Sequence, residues 1–258
     1  MSFPPGKSYQ IAGSAFELRV SNALDEFSNP AVDTVLITAA SGANPAPDGT
    51  APIINHIPVQ NGSGRATQIL FKRESGVRLV GLSKSKNFSP SLFTPSPPNP
   101  EQQSPPGDFS VYSNTTTSRL IISGEPASTA SEATFANPVI VSALDPYGNL
   151  ANIYNRTVTF NVLAEDGGKD LPDPYTFLIG GDNGQHTFSG SEFKLTKAGQ
   201  QRILIYDNQS TPLRDTTDVI TVAPGPVASF SVSVNNGNPI TAGSDFPITI
   251  SNAKDAAG

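Results

Sequence analysis

The chain has 258 residues, enough to bury one large core or two ordinary ones, and its 24 prolines and 22 glycines suit short strands and turns better than helices. Sixteen basic against 22 acidic residues leave a formal charge of −6 with no Lys/Arg run, which argues against a nucleic-acid partner. Cysteine is absent, excluding disulfides, thiolate metal sites and a cysteine nucleophile, and no apolar run reaches the roughly 18 residues of a membrane-spanning helix.

The opening MSFPPGKSYQ lacks the charged segment followed by an apolar one that marks a signal peptide. An exported chain would therefore derive from a longer or processed precursor. Next comes VSNALDEFSNPA (20–31), which pairs an aspartate with a Ser-Asn three residues on. Asn61–Gly62 and FKRESGVRLVG (71–81) follow. The stretch 87–107, NFSPSLFTPSPPNPEQQSPPG, is proline-rich and carries Phe88, Leu92 and Phe93. A polyproline-like segment would present these three side chains as candidate partner-binding residues, facing a neighbouring domain or subunit; an idle, disordered insertion tolerated at little entropic cost is the equal alternative.

From residue 117 the landmarks recur. VSALDPYGNLA (141–151) places Asp145 120 residues after Asp25, Asn183–Gly184 lies 122 after Asn61–Gly62, and FKLTKAGQQRILI begins 122 after FKRESGVRLVG. After the proline-rich stretch the step drops to 110, as DFSV (108–111) gives way to DVITV (218–222). A last step of 110 leads from Asp145 to Asp255 in ISNAKDAAG (250–258). Agreement among independent landmarks argues for tandem copies: 1–116 with the insertion at 87–107, 117–224, and an incomplete 225–258.

In the middle copy, alternation predicts seven strands, near 119–123, 135–142, 156–163, 174–179, 185–189, 192–195 with 201–206, and 217–223. RTVTFNV (156–162) sets Val158, Phe160 and Val162 on one face, as a half-buried strand requires. The fold class this implies is all-β, with tandem immunoglobulin-like β-sandwiches and little or no helix. Asp145-Pro146-Tyr147-Gly148 has the preferred residues of a type I turn, with Asp first, Pro second and Gly fourth. Its expected role is to end one strand and aim the next.

The third copy supplies strands at 227–234 and 246–251. Their apolar face, Phe230, Val232, Val234, Phe246, Ile248 and Ile250, needs a cover. Further repeats beyond residue 258 are the expected cover, with strand complementation between subunits as the alternative. Copy one begins halfway along its expected first strand, since Met1–Phe3 aligns with Ser231–Ser233.

ALDPYGNLA, RTVTFNV, PYTFLIGGDNGQHTF and FKLTKAGQQRILIYD resemble the bacterial Ig-like repeats of S-layer, adhesin and other cell-surface proteins. That resemblance implies an Ig-like sandwich serving as a structural or spacing unit outside the cell, with no shared catalytic residues. The first copy departs from the pattern with Ser28 in the glycine position.

Little else in the sequence points to chemistry. The two histidines, His56 and His186, lie without a G-x-S-x-G elbow, and each reads as a hydrogen-bonded strand residue. Five Asn-x-Ser/Thr sequons, at Asn61, Asn87, Asn114, Asn155 and Asn208, match chance in so Asn-, Ser- and Thr-rich a chain. Calcium is the one metal with candidate ligands: Asp166, Asp170 and Asp173 in EDGGKDLPD, and Asp145 with Asn149 in the turn. Solvated acidic turns are the commoner reading of such clusters, so no cofactor is expected. The function expected is therefore a non-catalytic extracellular or cell-surface structural protein whose partners are neighbouring copies or domains. An adhesin or polysaccharide-binding module, or an accessory region of a secreted hydrolase, is the alternative.

Overall fold

The computed structural model describes residues 9–85, 108–163, 169–234 and 242–256. The proline-rich stretch with Phe88, Leu92 and Phe93, the aspartate Asp166, and the first eight residues lie outside the described residues. The chain forms two compact units: the residues up to Arg119 with Ser142–Asn155 and Phe177–Gln185, and a second of Leu120–Val141, Arg156–Thr176 and the chain from His186.

The first unit contains Tyr9–Ile11 (β1), Ala15–Val20 (β2), Asp33–Ser41 (β3), Ile57–Gln60 (β4), Ser63–Ile69 (β5), Glu74–Ser83 (β6) and Phe109–Tyr112 (β7). These form one seven-stranded sheet in the order β1-β7-β6-β3-β4-β5-β2. β1 runs parallel to β7, and the pairs β2–β5, β3–β4, β3–β6, β4–β5 and β6–β7 are antiparallel. Strands distant in that order nevertheless share a core. Phe16 of β2 meets Phe109 of β7 edge to face at 5.9 Å, so the sheet folds over on itself and buries one cluster between its halves. Alternation explains which residues enter: Phe16, Leu18 and Val20 point inward while Ala15 and Arg19 face water.

The second set of strands begins with Arg119–Ser123 (β8), Ser128–Ala130 (β9), Val139–Leu144 (β10), Thr157–Val162 (β11), Tyr175–Thr176 (β12) and Gln185–Phe188 (β13). It continues with Gly199–Gln201 (β14), Ile203–Asp207 (β15), Arg214–Thr216 (β16) and Ile220–Ala223 (β17). The sheet orders are β13-β10-β8, β12-β11-β15-β16 and β14-β17-β9. β8 thus lies beside β10 and β10 beside β13, while β11 pairs with β15 and β14 with β17. This is immunoglobulin-type pairing. The first unit repeats its key pairs, β2 with β5 and β3–β6–β7 in succession. Among the described residues the only helical element is one 3₁₀ turn, Gly190–Glu192.

Val158, Phe160 and Val162 are buried as their alternation demands, and Phe160 packs edge to face on Phe188 and Phe193. Local expectations shift at several places: the strands expected near 135–142, 174–179 and 217–223 run over Val139–Leu144, Tyr175–Thr176 and Ile220–Ala223. Residues 192–195 read as strand, but Ser189 caps a 3₁₀ turn with a reciprocal Ser189–Glu192 capping box, leaving only isolated bridges at Lys194. β9 carries no alternation of its own and exists through parallel pairing with β17. His56 lies just before β4, and its Nδ1 accepts from the Ile37 N–H at 3.1 Å. His186 does lie in a strand, stacked on Tyr175 at 3.7 Å.

Ser229–Val234 (β18) and Ile248–Lys254 (β19) form a separate antiparallel pair, with Val232 opposite Ile250 and Val234 opposite Ile248. Its apolar residues, from Phe230 to Ile250, all stand exposed.

Candidate functional site: the aspartate turns

Asp25 and Asp145 build the same turn from the same bonds. In each, the aspartate carbonyl accepts from the residue three positions on, Ser28 or Gly148. Oδ1 accepts the backbone N–H groups two and four residues on, at 2.9 and 2.8 Å in the first turn and 2.9 and 2.9 Å in the second. Oδ2 accepts the side-chain amide of Asn29 or Asn149 at 3.2 or 2.9 Å. The fourth residue needs a positive φ, 65° at Ser28 and 81° at Gly148, which is why glycine suits the position. The third spelling shares one outward contact. Gly225 N–H donates to Asp255 Oδ2 at 2.8 Å, as Asn114 N–H does to Asp145 Oδ2 at 2.8 Å.

Surroundings separate the two complete turns. Asp145 is fully buried and Asn149 nearly so, whereas the first turn lies open and Phe27 is 75% exposed. The Asn149 amide bridges the chain at Phe71–Arg73: its Oδ1 accepts from Arg73 N–H at 2.7 Å and its Nδ2 donates to the Phe71 carbonyl at 2.8 Å. Tyr147 packs edge to face on Phe71 at 4.9 Å and covers Gly13, where a Cβ would fall on its hydroxyl. A cleft of about 460 Å³ opens beside this contact, lined by Lys72, Arg73, Glu74, Tyr112 and Asn149 among others. Lys72 and Glu74 stand 3.7 Å apart at its edge.

The candidate calcium ligands distribute as follows. The structure brings Asp145 and Asn149 together, but four N–H donors occupy the two Asp145 oxygens and Arg73 occupies Asn149 Oδ1. Asp170 pairs with Lys194 at 2.7 Å, and this hydrogen bond holds the Lys194 ammonium above its ordinary pKa. Asp173 is exposed. Among the described residues no three His, Cys, Asp or Glu side chains are placed to share a metal ion. The receptor for the turn, Gly13, Phe71, Arg73 and Asn114, is not marked by any local pattern. Phe71 stands out in the sequence only as a repeat landmark, through the Phe-Lys pair that recurs at 193.

No family model and no curated protein matches the chain. Solved structures do resemble it. The chain is similar to FdeC, an Escherichia coli adhesin, at 14% identity and a TM-score of 0.43, over 96% of this chain and 71% of that one. It is similar to Yersinia pseudotuberculosis InvD at 15% identity and a TM-score of 0.42, over 98% and 69%. Domains 4 and 5 of the S-layer protein SbsC match at 10% identity and a TM-score of 0.28, over 74% and 77%. These likenesses concern the fold and assign no family.

Proposed function

We propose that the chain is a non-catalytic structural stretch of a repeat-built extracellular or cell-surface protein. Its units would be 1–116, 117–224 and the beginning of another at 225–258. The observation that carries this reading is the pair of aspartate turns. Both aspartate carboxylates are consumed by bonds within the protein, and the second turn ties residues 142–155 to Phe71, Arg73 and Asn114. A side-chain constellation spent on fixing backbone geometry suits a spacer. The placement outside the cell comes from the resemblance of its sequence motifs to bacterial Ig-like repeats. Antibody labelling of intact parent cells, combined with a glycan array of the purified chain, tests the reading. Surface label without saturable glycan binding supports it; strong binding to one glycan class would replace it with an adhesive function, and label only after lysis would remove the surface location.

A further inference from the structure

The first turn is built like the second and rests on Gly62 at its base, but its outward residues stand open. Leu24 is 45% exposed where Leu144 is 8%, and Asn29 is exposed where Asn149 is 3%. Phe27, 75% exposed, occupies the position from which Tyr147 reaches Phe71. The turn's internal bonds are complete, so these outward groups are held in place before any partner arrives.

We propose that Leu24, Phe27, Asn29 and Val32 form a docking face for the end of another β-sandwich domain. It rests on the structural-repeat reading above and names the partner of that repeat's open turn. The observed contact of the second turn specifies the chemistry: an aromatic ring, a free carbonyl on the same residue, and a free backbone N–H two residues on, as Phe71 and Arg73 supply. One substitution refines it. Val32, 64% exposed, stands where Asn152 accepts from Ser113 Oγ, so the partner is apolar at that point. A second copy of this chain does not offer the socket, because its own Tyr147 and Asn149 already fill it. The occupant is a separate domain of this kind.

The test is a chain in which residues 9–127, carrying Ser113→Ala, precede a full copy of residues 9–258. The junction is natural because β1 and β9 each lie parallel to the last strand of their set. The protein has no cysteine, so Pro47→Cys in the leading copy and Ser28→Cys in the following one form a unique thiol pair that leaves both rings in place; in the second turn the position equivalent to Ser28, Gly148, lies against Pro47. A short bismaleimide should link this pair at least tenfold faster than a control pair, made with Pro47→Cys in the leading copy and Leu82→Cys at an exposed site in the following one. Equal rates would overturn the proposal. In the parent chain, Tyr147→Phe places the first turn's aromatic residue over the existing socket. An unfolding constant within about twofold of the parent is expected, and a loss beyond tenfold would show that a phenylalanine turn does not fit. Neither result bears on surface labelling or glycan binding, so failure here is distinct from failure of the broader reading.

Discussion

Asp25 and Asp145 make the same local bonds, so their difference in worth comes from what surrounds them. Asp145 is buried and also accepts from Asn114, so truncation strands several donors away from water. Asp145→Ala should cost about 3–5 kcal/mol by urea unfolding, since each donor left unpaired in a buried site costs about 1–3. Asp25→Ala, with water at hand, should cost clearly less; equal losses would contradict the environmental argument. Ser28 holds a φ of 65° that glycine adopts freely, so Ser28→Gly should stabilise by about 0.4–1 kcal/mol. Acid titration belongs to this scale too. The Asn29 N–H is the main influence holding the Asp25 carboxyl below its ordinary pKa, and the Thr50 N–H does the same for Asp48. At Asp33 burial is the largest single influence and pushes upward, but donors from Ser83, Ser85 and Thr34 together outweigh it and lower the value. Carboxyls lowered in the fold contribute fully above the unfolded value of about 4, and that contribution is lost as pH falls through the folded values. The urea midpoint should stay level from about pH 7 to 5 and drop below about 4, and Asp33→Asn should flatten part of that drop.

The strands explain which features the sequence makes readable. β11 and β18 are legible because apolar residues alternate cleanly with polar ones, and alternation is what a half-covered sheet demands. β9 is not, because three residues held by a parallel neighbour carry no pattern of their own. The 3₁₀ turn at Gly190–Glu192 is hidden for the opposite reason: Ser189 and Glu192 spell a capping box inside a stretch that otherwise reads as strand. The aspartate turn itself is legible as a turn, since Asp, Pro and Gly at their positions state the geometry. The face it docks against is not, because that depends on residues 71–73 meeting 147–149, a separation that no local pattern encodes. The Asn-Gly pairs sit between these cases. Asn61–Gly62 closes the β4–β5 hairpin with both residues at positive φ, and Asn183–Gly184 adopts the same pair of signs. Gly184 also lies against the Ala151 backbone, where a Cβ would meet the amide nitrogen at 2.7 Å. Gly184→Ala should therefore destabilise by about 2 kcal/mol in thermal or urea unfolding, combining positive-φ strain with displacement of fixed backbone. An effect below a few tenths would show that the backbone around Ala151 yields more easily than its packing implies.

At the scale of the whole molecule, stability is divided unevenly. The clusters around Phe16, Leu18 and Ile57, and around Phe160, Phe193 and Ile205, bury their side chains almost completely. The β18–β19 pair buries little: every residue of both strands is exposed, and Val232 and Ile250 face each other across the ladder with more than half of each open to water. The sequence marks this face as needing a cover, because alternating Phe, Val and Ile side chains on an isolated pair of strands gain almost nothing from burial. Its tie to the rest of the second unit includes the Gly225–Asp255 hydrogen bond. Limited proteolysis should consequently cut first within 227–254, and a chain ending at Pro226 should keep the urea midpoint of the full protein. A fall in the midpoint on that truncation would mean that the ribbon packs on the second unit in solution. Cleavage elsewhere first, with 227–254 protected, would mean that its apolar face is covered.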